Sequence, residues 1–190
     1  RAALEKQYGL DKPLPVQYVY YLRNLLHGDM GTTITDRKDV RQQLGLVVPA
    51  TMELAFAAML FALAVGIPLG IIAAVKQGQW PDHVARFVSL IGTSMPVFWL
   101  GLLLAYLLTY RFQILPRSGQ LDVGMRRPPQ VTGFISIDAL LNGDTETFQS
   151  LVRHIILPAV VLGSFAMGII SRMLRSSLVA ALNDDYVRTA

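Results

Sequence analysis

Cysteine is absent from the 190-residue sequence, which excludes disulfides, thiolate chemistry and cysteine-ligated metal sites. No Gly-Lys dipeptide occurs, so a phosphate-cradling loop of the Walker type cannot be drawn. His27, His83 and His154 stand apart, without His-Glu-x-x-His or paired-carboxylate spacing, which removes the usual basis for a metal site. Neither Ser94 nor Ser164 sits in a Gly-x-Ser-x-Gly setting. Charge is scarce as well, at 16% of residues with a formal net charge of +4. The basic residues form no stripe interleaved with aromatics, and nucleic acid is therefore not expected as a partner.

Apolar residues make up 53% of the chain, the mean hydropathy is +0.43, and the charges cluster between long uncharged runs. That distribution indicates a polytopic membrane protein, with the lipid bilayer as its main solvent. Residues 54–75 hold no charge, and 22 residues at 1.5 Å each reach about 33 Å, enough for a hydrocarbon core of about 30 Å. Within this run Gly66, Pro68 and Gly70 put two glycines on one helical face, the pattern of close helix packing with a local kink. Glu53 precedes it, placed to cap and anchor the helix start. A second run, residues 87–110, is uncharged over 24 residues. It contains Thr93-Ser-Met-Pro-Val-Phe-Trp99, where Pro96 frees the carbonyl of Gly92 and the hydroxyls of Thr93 and Ser94 stand ready to bond freed backbone groups. The third run, residues 155–171, is only 17 long, so Arg172 and Arg175 must snorkel or face protein. An unpaired Arg at the membrane centre would cost at least ~2.5–3.5 kcal/mol.

Between these runs the text is polar. Residues 15–27 fit a helix lying on a surface, with Val16, Val19, Tyr20, Leu22, Leu25 and Leu26 apolar and Pro15 suited to the first turn. Residues 76–86 carry Lys76, Trp80, Pro81, His83 and Arg86, an interfacial composition. Residues 111–154 form a 44-residue loop with a short helix expected around 137–141. After Arg172 the helical spacing continues through Leu174, Leu178 and Leu182 before turning polar at Asn183-Asp-Asp185.

The order of these motifs resembles permease subunits of the oligopeptide/dipeptide type of ABC importer. The resemblance is carried by Gly9-Leu-Asp-Lys-Pro-Leu-Pro-Val-Gln-Tyr18, His27-Gly-Asp-Met-Gly-Thr32, Pro49-Ala-Thr-Met-Glu-Leu-Ala55, Ser94-Met-Pro96 with its aromatics, Leu115-Pro-Arg-Ser-Gly119 and the tail from Arg172. Arg117 departs from the residue expected in that position.

The resemblance implies an all-α membrane protein of the type I importer permease fold in a bacterial or archaeal cytoplasmic (inner) membrane. It implies a segment 1–48 outside the cytoplasm after a missing first span, then a transmembrane domain 49–190. Within that domain the spans are expected at about 51–75, 87–110 and 155–178, the external loop at 111–154 and the start of a cytoplasmic coupling loop at 183–190. The chain begins with Arg1 rather than Met and shows no signal-peptide layout, so it reads as a piece with spans missing at both ends.

The partners implied are a second permease subunit, two ATP-binding subunits that hold ATP and Mg, and an extracytoplasmic substrate-binding protein. The cargo would be peptides or similar small solutes. Residues Asp185, Tyr186, Val187, Arg188, Thr189 and Ala190 would couple to an ATPase subunit, and Thr93, Ser94, Met95, Pro96, Phe98 and Trp99 would line the pathway. Counting Lys and Arg beside the spans would instead place the long loop inside. Other readings are an intramembrane serine hydrolase using Ser94 with His83 or His154, and a non-transporting scaffold or channel subunit.

Overall fold

A computed structural model describes residues 12–33 and 35–183. The regular elements in this range are helical, apart from one isolated bridge between Thr32 and Asp39. In chain order they are α1 (Leu14–Leu26), α2 (Val40–Val75), α3 (Trp80–Ser94), α4 (Val97–Leu104) running into a π-helix (Ala105–Arg111), α5 (Ile135–Leu141) and α6 (Thr145–Asn183). The chain divides into two compact units, Arg1–Pro49 and Ala50–Ala190.

In the first unit, Pro15 stands in the first turn of α1, where a missing N–H costs nothing. The helix stops at His27, and Gly28 follows with φ +83°, a left-handed conformation that glycine adopts freely. Asp39 opens α2, its Oδ1 accepting the Arg41 N–H at 2.8 Å.

In the second unit, α2 and α6 are each long and apolar enough to cross a membrane. Both extend past the uncharged runs from which spans were expected, because the flanking polar residues are compatible with helix and no Gly or Pro stops them. Ala58, Ala62, Gly66, Gly70 and Ala74 recur every four residues on α2 and are buried. Large side chains such as Phe56, Leu60, Leu63, Ile67 and Ile71 are exposed. Small residues inward and large apolar ones outward suit a surround of lipid or other membrane helices.

The inner stripe rests on α6. A Cβ on Gly66 would lie 3.0 Å from the Met167 carbonyl oxygen, and one on Gly70 would lie 2.9 Å from that of Ser171. Pro68 is exposed and α2 continues through it to Val75. Another side of α6 receives α3: a Cβ on Gly168 would lie 2.6 Å from the Ser89 carbonyl oxygen, and Gly92 faces Ser164 with equally little room. The centre of this unit is therefore α6, carrying small residues toward both neighbours.

Residues 87–110 fall in two helices joined at a sharp break, and the pair taken together is long and apolar enough for one broken span. α3 ends at Ser94, Met95 is extended (φ −82°, ψ 135°), and α3 and the α4 segment bend by 111°. The residue before a proline is disfavoured in helical backbone, and Pro96 has no N–H to continue the ladder. The two together stop the helix.

Candidate functional site

The break is built from Thr93 to Trp99. Thr93 turns its hydroxyl back to the carbonyls of Ser89 (3.1 Å) and Leu90 (3.3 Å), and the Met95 N–H still bonds Ile91 O at 3.1 Å. Ser94, Pro96, Phe98 and Trp99 are exposed, while Thr93 and Met95 are half-buried. Beyond the break, α4 crosses α6 where that helix carries Pro158. Phe98, Gly101 and Leu102 on one side and Leu157, Pro158 and Val161 on the other line an open apolar groove of about 530 Å³. Pro96 precedes α4 and Pro158 lies within α6, and neither has an N–H to give the helical ladder. The π-turn Ala105–Arg111 follows within the same segment, and such turns often mark functional places in membrane helices.

At the start of α3 lies an ion cluster. Asp82 is 1% exposed, and Arg175 of α6 grips it with a two-pronged bond, Nε to Oδ1 at 2.8 Å and Nη2 to Oδ2 at 2.9 Å. Arg86 Nε approaches Oδ1 at 3.2 Å, and the Gly78 N–H donates to Oδ2 at 3.0 Å. Arg175 therefore faces protein, one of the two placements open to it from sequence. Removing one member of such a buried pair strands the other charge, at a cost of about 3–5 kcal/mol. Sequence reading passed over Asp82, although a lone acid beside one apolar run and the arginines past another were the available signal.

The opposite end of the same bundle is tied by Glu53. Its Oε1 accepts from the Ser136 N–H (2.7 Å) and hydroxyl (2.6 Å), in the first turn of α5. The carboxylate does cap a helix, but not its own, since α2 begins 13 residues earlier at Val40. Beside it Phe56, Phe134, Ile137, Phe148 and Val152 help line an apolar pocket of about 510 Å³. Buried Asp138 holds the loop before α5, accepting from Thr132 N–H and hydroxyl (2.8 Å each) and Gly133 N–H (3.1 Å). Burial pushes its carboxyl up, and these donors more than offset that, leaving it below the usual carboxylate range. Asp144 caps α6 through the Thr147 hydroxyl (2.6 Å) and N–H (3.0 Å), and these hold it low as well.

Residues 76–86 thus share one end of the unit with Arg175, and the long loop shares the other with Glu53. The residues expected to couple to an ATPase subunit, Asp185 to Ala190, lie outside the described residues. Gly66 and Gly70 sit in the α2–α6 contact, away from the break. His83 accepts from Arg86 at Nδ1 (2.8 Å), whereas His154 donates to the Ser150 carbonyl (2.8 Å) and stands 4.0 Å from Asp122. Neither interaction orients a base toward Ser94. Among the described residues no cluster of three His, Asp or Glu could hold a metal ion.

Residues 66–190 match the model of a family described as binding-protein-dependent transport system inner membrane component. The chain is similar to the probable D,D-dipeptide transport system permease protein of Escherichia coli (strain K12), at 46% identity over 98% of this chain and 55% of the relative. The di/tripeptide transport system permease protein of Pseudomonas aeruginosa (strain UCBPP-PA14) is 47% identical over 96% of this chain and 54% of its own length. The dipeptide transport system permease protein of Escherichia coli (strain K12) is 42% identical over 100% and 56%. The chain spans about half the length of the curated relatives it matches. With a family model across most of its length and relatives aligned along nearly all of it, this helical chain belongs to the binding-protein-dependent transport system inner membrane components.

Proposed function

We propose that the protein forms part of the membrane pathway of an ATP-driven importer for peptides or similar small solutes. The observation that carries this reading is the likeness along nearly the whole chain to three relatives whose names are all those of peptide transport permeases. The geometry supports it: a helix broken at Met95–Pro96 stands beside a Pro-bearing central helix, and such irregular backbone is tolerated at membrane depth where it is buried in protein or lines a water-filled path.

In this reading Thr93, Ser94, Met95, Pro96, Phe98 and Trp99 line the pathway, and residues 185–190 pack into an ATPase subunit. Residues 1–48 and 111–154 face outward, while 76–86 and 183–190 face the cytoplasm. A second permease subunit completes the pathway, a binding protein delivers the cargo, and ATP and Mg are held by separate subunits. Cargo and nucleotide then bias a membrane domain between two arrangements, each by its difference in affinity for them.

The test is genetic. Deleting the gene in its host should abolish uptake of radiolabelled alanyl-alanine, and the full-length gene in trans should restore it. Unchanged uptake of di- and tripeptides in the deletion strain would sink the peptide assignment.

A further inference from the structure

The turn between α2 and α3 and the last part of α6 are joined by a fork, Asp82 to Arg175, across 93 residues of sequence. Both carboxylate oxygens are committed. Arg175 occupies one side of each, Arg86 adds to Oδ1, and the Gly78 N–H adds to Oδ2. Gly78 has φ +75°, which bends the turn so that its N–H points at the same carboxylate. A bidentate guanidinium–carboxylate bond fixes relative orientation as well as distance.

Apolar side chains of similar volume would anchor the two elements about as strongly. The fork adds a defined angle between them.

The position of the fork gives that angle a use. Asp82 lies in the first turn of α3, which spans 15 residues, about 22 Å, from Trp80 to the break at Met95. Arg175 lies eight residues before the end of α6 at Asn183, from which the chain continues into residues 184–190. Ser89 and Gly168 hold α3 and α6 in backbone contact between these points. A displacement of the α6 end therefore reaches the break through α3, provided that the fork keeps α3 and α6 in register.

We propose that Asp82 and Arg175 are positioning residues that make the α2–α3 turn and the end of α6 move as one body during the transport cycle. Motion of the α6 end is thereby passed along α3 to the break. This rests on the transport reading above and adds to it the residues that join its two sites.

The experiment uses the full-length, otherwise cysteine-free protein assembled with its own partner subunits in nanodiscs. Spin labels are placed at the exposed positions Gln79 and Leu182, and distances are measured without nucleotide and after trapping with ATP and orthovanadate. In the parent the Gln79–Leu182 distribution should keep its position and width in both states. Asp82→Asn should at least double its width in the trapped state while basal ATP hydrolysis stays within twofold. The exchanged pair Asp82→Arg with Arg175→Asp should restore the narrow distribution.

A parent distance that shifts between states, an Asp82→Asn variant as narrow as the parent, or an exchanged pair that assembles but stays broad would each overturn the proposal. If Asp82→Asn does not assemble, Arg175→Lys, which keeps the charge but loses the fork, decides by the same criteria. Failure of the transport reading is separately visible as a complex without ATP-driven uptake, and the label distances still decide the rigid-body claim.

Discussion

Gly163→Ala tests the packing on which the whole bundle depends. A Cβ at position 163 would stand 2.5 Å from the carbonyl oxygen of Ala58, 2.8 Å from Phe61 Cδ1 and 3.3 Å from the Ala58 carbonyl carbon. Carbon-to-oxygen approaches between packed backbones run to about 3.3–3.6 Å, so α2 and α6 must separate by roughly 0.8 Å to admit one methyl group. The obstacle is backbone and cannot rotate aside, which places the cost in the upper part of the ~1–3 kcal/mol range for overpacking. Intrinsic propensity pulls the other way, favouring Ala over Gly in a helix by about 0.8–1.0 kcal/mol. The net expectation is a loss of about 1–2 kcal/mol.

Gly101→Ala supplies the matched control. Its Cβ would meet Val161 Cγ1 at 3.6 Å, an ordinary contact, so only the propensity gain remains. At about 2–4 °C per kcal/mol for a chain of this size, Gly163→Ala should lower the apparent Tm by about 2–8 °C, and Gly101→Ala should raise it by about 2–4 °C. The assay is loss of the monodisperse size-exclusion peak after heating in detergent. A Gly163→Ala protein that melts at or above the parent, or two variants that shift in the same direction, would refute the packing argument.

Glu53→Ala removes the acceptor for two Ser136 donors, and amide exchange in α5 should accelerate by about 3–30-fold, the size of a lost helix cap; unchanged exchange at Ser136 would contradict this. Asp138 and Asp144 are both held below their ordinary value, so their stabilisation is complete above the unfolded-state value of about 3.9 and fades as pH falls through the lower folded values. Exchange protection of residues 132–147, corrected for intrinsic rate, should therefore hold from pH 7 to pH 5 and drop below about pH 4, and protection that instead weakens on going from pH 5 to pH 7 would reverse the assigned sign. Single cysteines at Gln79 and Gln130 should label oppositely with an impermeant thiol reagent in intact cells, Gln130 from outside; labelling of Gln79 alone would invert the orientation.

The uncharged runs made the long apolar helices legible, because a chain that must bond its own backbone within lipid has little choice but helix. Pro15 gave the start of α1 to within a residue for a local steric reason. The Gly66–Gly70 pair named a packing face, but its partner on α6 came only from the structure. Helix ends were poorly legible: nothing between Val40 and Glu53, or between Thr145 and Ile155, marks where water gives way to membrane, and both segments are helical throughout.

At Pro96 the sequence showed that the ladder must be interrupted. It could not show the 111° turn, which depends on where α4 finds α6. The pairs Asp82–Arg175 and Glu53–Ser136 span 93 and 83 residues and leave no local period to read. Glu53 read as a cap and Arg175 as an interfacial charge until the fold supplied Ser136 and Asp82 as their partners.

The most direct measurement is the reactivity of a single cysteine at Ser94 in the full-length, otherwise cysteine-free protein assembled with its partner subunits. Ser94 ends α3 at the break and is exposed in the isolated chain, so it should lie on the path if the break lines it. Labelling by a water-soluble maleimide should be at least tenfold faster in one of two states, nucleotide-free or trapped with ATP and orthovanadate, than in the other. Equal rates in both states, in a complex that hydrolyses ATP and takes up peptide, would place the pathway elsewhere.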